Sequence, residues 1–278
     1  MAVVVITGCS SGFGMLAALE FAHRGDSVYA TMRNTAKADR LHAGAEAAGV
    51  AVEVLQLDVN EIRSVSAAIE EVIRRKGRID VLVNNAGIGI EGAVEDFDDD
   101  EVLAVFETNL FGVIRVTRAV LPQMRSQGSG TIVTVGSLAG KATAPFSGIY
   151  SASKHAVEAL SDALYYELQP FGIRVVLIEP GGFETEIETN SQRARRFTEA
   201  SVYLEAERRF AEALERLPGG WLGADAKIVA DVIVDVAKAA QPQRRYLVGQ
   251  DAELIGGLHK RMSDEEFENA VRTLLDWH

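Results

Sequence analysis

The sequence predicts a doubly wound α/β fold built on a parallel sheet, and three observations carry that expectation. Short apolar runs alternate with longer segments of helical period along most of the 278 residues. The apolar runs are continuous rather than alternating, as strands buried on both faces require. A glycine-rich turn joins the first run to the first helical segment.

Taken in order, the candidate strands are 2–7, 27–31, 51–57, 81–84, 131–135, 174–179 and 246–248. Between them lie helical stripes such as Val65, Ala68, Ile69, Val72 and Ile73, whose spacing puts them on one face. No Pro-rich, Ser-rich or like-charge linker divides the chain, so one domain over 1–278 is expected. From about 184 to 221 the rhythm breaks. That stretch is Arg-rich and amphipathic, with Phe197, Val202, Tyr203, Leu204, Phe210, Leu214 and Leu217 as its apolar residues. It reads equally as a surface helix pair or as a lid over a substrate pocket at the strand ends.

Composition narrows the function classes. A net charge of −12 repels nucleic acid and anionic membranes, so neither is an expected partner. No apolar run is long enough for a membrane span. Met1 leads directly into the first strand without a basic leader, and a cytoplasmic location is expected. Cys9 is the one cysteine, which excludes an intramolecular disulfide. The histidines lack ligand spacing, and no catalytic metal is expected.

The first strand ends in Thr7-Gly8-Cys9-Ser10-Ser11-Gly12-Phe13-Gly14. Gly8 suits a tight turn, Gly12 a close backbone approach to a pyrophosphate, and Gly14 tight packing of helix on strand. The helix N-terminus offers free N–H groups and a positive dipole end to phosphate, with the Ser10 and Ser11 hydroxyls beside it. The second strand ends in Thr31-Met32-Arg33, where an acidic residue would bind a ribose 2′-hydroxyl. Arg33 instead suits a 2′-phosphate, so NADP is the expected cofactor, with NAD possible.

Tyr150 and Lys154 are four residues apart on a helical segment and project from one face. A tyrosine titrates too high to exchange protons easily at neutral pH, and a neighbouring ammonium lowers that value. Upstream, the strand 131–135 ends in Gly136-Ser137, whose hydroxyl can steady a substrate oxygen as charge develops. Asn84-Asn85-Ala86-Gly87, Asn109 and Pro180-Gly181-Gly182-Phe183-Glu184-Thr185 follow other strands.

In this order and spacing, residues 7–14, 84–87, Ser137, Tyr150–Lys154 and Pro180-Gly181 resemble the short-chain dehydrogenase/reductase family, whose fold is of the Rossmann type. The resemblance implies an NAD(P)-dependent oxidoreductase interconverting an alcohol and a ketone. It makes Tyr150 the acid/base and gives Lys154 the tyrosine and the nicotinamide ribose. Ser137 would orient the substrate oxygen, and Asn109 would support a proton relay. It implies cofactor contacts from Gly8, Ser10, Ser11, Gly12, Phe13, Gly14, Arg33, Asp58, Val59, Asn85, Ala86, Gly87, Pro180, Gly181, Phe183 and Thr185. The segments 101–125 and 150–167 resemble the family's dimer-forming helices, which implies a homodimer or homotetramer.

The phrases at 6–12, 28–33, 55–59 and 121–124 are similar to those of steroid and retinol dehydrogenases in that family, the estradiol 17β-dehydrogenases among them. They imply a small apolar alcohol or ketone, such as estradiol or estrone, or a retinoid. A 3-oxoacyl carrier-protein reductase is the rival enzyme reading, with Arg193, Arg195 and Arg196 as docking cations. A non-catalytic nucleotide sensor is the rival of another class.

Overall fold

The computed structural model describes residues 1–183, 192–216, 224–275 and 277. The strands are β1 (Val3–Ile6), β2 (Ser27–Met32), β3 (Glu53–Gln56), β4 (Val81–Asn84), β5 (Ile90–Glu91), β6 (Gly130–Val135), β7 (Ile173–Pro180), β8 (Gln192–Arg193) and β9 (Arg245–Val248). Seven of them form a sheet in the order β3-β2-β1-β4-β6-β7-β9, and every pairing is parallel. The order reverses beside β1, between the β2 side and the β4 side. A crevice is therefore expected where the carboxyl ends of β1 and β4 diverge.

Alternation along the strands sorts the core into two layers. Val4 and Ile6 face one layer, which α1 (Gly12–His23) and α8 (Lys227–Lys238) cover with Phe21, Val229 and Ile233. Val3 and Val5 face the other, closed by Ile69 and Val72 of α3 (Ile62–Lys76), Val116 and Val120 of α5 (Gly112–Gln127), and Leu164 of α6 (Gly148–Leu168). The stripe read at Val65–Ile73 lies on the buried face of α3, and Gly77 ends that helix in the left-handed region.

Between β5 and α5, α4 (Asp99–Phe106) starts in a capping box of Asp98 and Glu101. It runs without a break into α5 through one wide π-turn, Glu107–Phe111. The single helix expected over 101–125 is thus one helix with a bulge, and Asn109 sits in the bulge. In the stretch 184–221, residues 184–191 and 217–221 lie outside the described residues. The rest forms β8, paired in parallel with β5, and α7 (Leu204–Glu215). Ala194 and Phe197 pack here on Ile90, Phe97 and Val105.

Two last helices, α9 (Gln250–Arg261) and α10 (Asp264–Leu274), follow β9. No helix among the described residues is long and apolar enough to cross a membrane.

Candidate active site

The glycine turn after β1 is bolted to the turn after β4. Asn85 Nδ2 donates to the Thr7 and Gly8 carbonyls at 2.9 and 3.0 Å. Thr7 Oγ1 accepts from the Asn85 and Ala86 amides at 3.0 and 3.1 Å. Gly8 has φ +73°, and a Cβ there would lie 2.8 Å from Ala86 Cα. A Cβ at Gly14 would meet Asn85 Nδ2 at 2.4 Å. Side chains at either position would push the two turns apart.

The resulting cleft is lined by Gly8, Ser10, Ser11, Gly12, Phe13, Arg33, Asp58, Val59, Asn85, Ala86 and Gly87, all expected from the sequence. Met32, Leu57, Asn60, Ile88 and Thr108 line it too, although no motif marked them. Arg33 is exposed at the cleft rim, and no carboxylate among the described residues pairs with it. Asp58 accepts from the Asn60 amide at 3.0 Å, which fixes the floor beside β3. Free amides at the start of α1, a narrow glycine cradle and a free cation at the rim together fit a dinucleotide carrying a 2′-phosphate.

At the far end of β4 and β6 lie the groups read as catalytic. Ser137 follows β6 and caps a short turn, Leu138–Gly140. Its Oγ accepts from the Ala139 amide at 3.1 Å, which leaves the hydroxyl proton available for another acceptor. Lys154 is buried, and its Nζ donates to the Val135 carbonyl at 3.0 Å. The same ammonium lies 5.6 Å from the centre of the Tyr150 ring. Burial brings the Lys154 amine down to about 8, against an opposing pull from Glu158.

Asn109 is fully committed: Oδ1 accepts from the Ile88 amide at 2.8 Å, and Nδ2 donates to the Ile88 carbonyl and to Ser153 Oγ. Ser153 in turn donates to the Tyr150 carbonyl at 2.7 Å. Gly87 sits between these groups. A Cβ there would be 3.3 Å from Asn109 Oδ1 and 3.9 Å from Lys154 Nζ. The structure thus brings Asn109, Tyr150 and Lys154 together around the end of the cleft, with Ser137 on the strand that holds Lys154.

Pro180 ends β7, and the turn after it is fastened by a residue that no motif marked. Asp251, in the first turn of α9, accepts from the Gly182 amide at 2.7 Å. A Cβ on Gly181 would lie 2.1 Å from Asp251 Oδ1, so a larger residue there would displace the Asp251 carboxylate. Gly14, Pro180, Gly181 and Phe183 are not among the residues that line the cleft. Phe183 is buried, edge-on to Phe13 with ring centres 5.8 Å apart. Thr185 lies outside the described residues.

Beyond Ser137 is an apolar cavity walled by Leu138, Ala142 and Ala144, by Phe210 and Leu214 of α7, and by Ile255, Val271 and Leu275 of the last helices and their end. Next to it, Phe146 gathers Phe197, Phe210 and Trp277 at centre distances of 5.8, 6.1 and 6.2 Å. The three arginines read from the sequence as docking cations each pair with a surface carboxylate. Arg193 pairs with Glu207, Arg195 with Asp100, and Arg196 with Asp98.

A family model described as short chain dehydrogenase matches residues 2–196. The chain belongs to the short-chain dehydrogenase family. It is 34% identical over 291 residues to 17-beta-hydroxysteroid dehydrogenase type 1 of Homo sapiens, covering 98% of this dehydrogenase and 84% of that one. It is 42% identical over 188 residues to 3-ketodihydrosphingosine reductase of Bacteroides thetaiotaomicron, covering 68% of this chain and 66% of that protein. Among solved structures, a variant of actinorhodin polyketide ketoreductase with NADPH superposes with a TM-score of 0.77 at 31% identity, covering 89% of this chain and 95% of that one. The dehydrogenase is accordingly an NAD(P)-dependent oxidoreductase that acts on an alcohol or a ketone.

Proposed function

We propose that this dehydrogenase uses NADP(H) to interconvert a secondary alcohol and a ketone on a bulky apolar substrate, with a 17β-hydroxysteroid such as estradiol or estrone as the first candidate. The observation that carries the reading is the apolar lining shared by the Ser137 turn, α7 and the last helices; the hollow it encloses is about 50 Å³ and would have to widen to seat such a body. Each CH₂ buried there is worth about 0.8 kcal/mol, so a large hydrocarbon body gains from it and a small alcohol does not. The similarity to the human steroid dehydrogenase, which runs over nearly the whole chain, supports steroids among such bodies. In this reading the described part of 184–221 acts as the wall of a substrate lid, and the chain works as one domain.

The glycine turn, Arg33 and the Asn85–Gly87 turn would hold the cofactor, which when bound would supply the hydride chemistry. The protein's own groups handle the proton. In the oxidation direction Tyr150, as phenolate, accepts the substrate hydroxyl proton while Ser137 Oγ donates to the substrate oxygen. Lys154 keeps the phenolate accessible by placing an ammonium near the ring, and Asn109 fixes that end of the helix through Ile88 and Ser153.

A second reading is a long-chain ketone, favoured by the 42% identity to the 3-ketodihydrosphingosine reductase. The carrier-protein reading keeps Arg193, Arg195 and Arg196 as exposed cations, each paired with a surface carboxylate that an acidic carrier would have to displace. The test is a panel of estradiol, retinol, a long-chain 3-keto amine, an acyl thioester and a simple secondary alcohol, followed by nicotinamide absorbance with both cofactors. A kcat/KM for estradiol at least tenfold above the simple alcohol supports the steroid reading. Equal values sink it, and a lead for the keto amine selects the second reading. Cofactor binding without turnover of any of these revives the non-catalytic sensor.

A further inference from the structure

Behind the candidate active site, and outside every motif, lies a cluster of buried charge. Glu158 is on α6, one turn beyond Lys154, and is 7% exposed; Glu179, the penultimate residue of β7, is 1% exposed. Lys141, at the end of the Ser137 turn, lies 2.6 Å from Glu158 Oε2 and 3.4 Å from Glu179 Oε1. Arg245 on β9 reaches the same two atoms at 2.9 and 3.4 Å. Arg245 also pairs with Asp162 at 2.8 Å, as does Arg244 at 2.5 Å. The cluster therefore ties together the Ser137 turn, the Tyr150 helix and the strand that leads into Pro180.

The two carboxyl groups do not divide these cations evenly. Both cations favour Glu158, and Oε1 of each glutamate is buried without a hydrogen-bond donor among the described residues. Both glutamates reach the same two cations, which sets their carboxyl groups side by side. One proton between them satisfies both orphaned oxygens, and two carboxylates at that separation would repel strongly in a buried site. A Cβ on Gly140 would touch both the Lys154 carbonyl and Glu158 Oε1, at 3.1 and 3.2 Å, so the turn packs directly on the pair.

We propose that Glu158 and Glu179 are positioning residues that act as one proton-sharing pair, whose single negative charge holds Lys154 as an ammonium and pins the Ser137 turn to the Tyr150 helix. Burial and the facing Glu158 push the Glu179 carboxyl up to about 7, which places the shared proton there at neutral pH. The charged groups facing the pair are Lys141 from the turn, Lys154 and Asp162 from α6, and Arg244 and Arg245 from β9. The inference rests on Lys154 having the role given it above.

The experiment follows the Lys154 amine by NMR in protein labelled with ¹³C at lysine Cε, its signal assigned by its loss in Lys154→Met. Glu158→Gln/Glu179→Gln should lower the Lys154 midpoint by on the order of one pH unit, because the whole negative charge is gone. Each single variant should move it by less than half as much, because the remaining glutamate ionises and keeps the charge. An unmoved midpoint in the double variant overturns the proposal, and so do single shifts that simply add. If the double variant does not fold, Lys141→Met serves. It removes a cation at the surface edge of the cluster and should raise the midpoint, and no rise overturns the proposal. The readout needs no turnover, so its failure is distinct from failure of the alcohol–ketone reading, which the substrate panel decides.

Discussion

Lys154 Nζ donates to the Val135 carbonyl at 3.0 Å, which ties the buried ammonium to the strand that ends in Ser137. One side chain thereby fixes two separations. It lies near the Tyr150 ring on its own helix, and it anchors that helix to the strand carrying the serine. The groups proposed for proton transfer and for holding the substrate oxygen are thus joined through one buried side chain.

Tyr150→Phe should remove turnover while leaving the cofactor cleft intact. The ring keeps its place, and only the hydroxyl that exchanges the proton is lost. A fall in kcat of about 10²–10⁴ is expected, with the NADP(H) dissociation constant within twofold of the original. A variant that keeps a tenth or more of kcat would remove Tyr150 from the acid/base role.

Lys154→Met should also lose at least about a hundredfold in kcat, yet it should melt higher at neutral pH. The amine lies well below its ordinary value, at about 8, because burial penalises its charged form. For a group lowered on folding, stability is fully present above the unfolded value near 10.5 and declines as pH falls through 8. Carrying the ammonium at pH 7 therefore costs about 3 kcal/mol, against about 1 kcal/mol for leaving the Val135 carbonyl unpaired in the variant. Melting curves at neutral and alkaline pH check this. A lower melting temperature at pH 7 would mean that the buried ammonium stabilises the fold.

Arg33→Ala should weaken NADP(H) by about ten- to a hundredfold and NAD(H) by less than twofold, since charge-assisted pairs to phosphate are worth about 1.5–3 kcal/mol. The exposed guanidinium lines the same cleft as Ser10 and Ser11, and no carboxylate among the described residues pairs with it. Dissociation constants from nicotinamide fluorescence decide the matter, and equal losses for the two cofactors would refute the phosphate reading.

The fold was legible because burial on both faces leaves its mark in the central strands β1, β4, β6 and β7. All seven sheet strands fall within two residues of where their apolar runs place them. The cleft was legible where backbone geometry demands a residue type, as at Gly8 and Gly14. Other features left no local trace. The β5–β8 pair is two residues on each side and carries no periodicity. Asp251 fastens the Pro180 turn from 69 residues away as an ordinary first-turn acid of α9. The π-turn at Asn109 breaks no hydrophobic stripe, so a straight helix was the natural expectation. Glu179 closes the strand read at 174–179, and no sequence pattern singles out Glu158. Their burial exists only because Lys141 and Arg245 converge from two other elements.

The last prediction concerns stability against pH. Glu179 is pushed up to about 7 from an ordinary value of 4.5, first by burial and then by Glu158. For a carboxyl raised on folding, stability is fully present below the unfolded value and is lost as pH rises through the folded one. The loss therefore falls between about pH 5 and 8, and it amounts to on the order of 2–3 kcal/mol. Lys141 and Arg245 do not cancel it, because at 3.4 Å from Glu179 each is closer to Glu158. Glu179→Gln keeps the shape, stays neutral, and can donate to the orphaned Glu158 oxygen. The variant should match the original chain in urea unfolding at pH 5 and exceed it at pH 8, with the gap opening across that window. A gap of the opposite sign would show that the ionised Glu179 draws net stabilisation from its two cations, and that desolvation is the smaller effect.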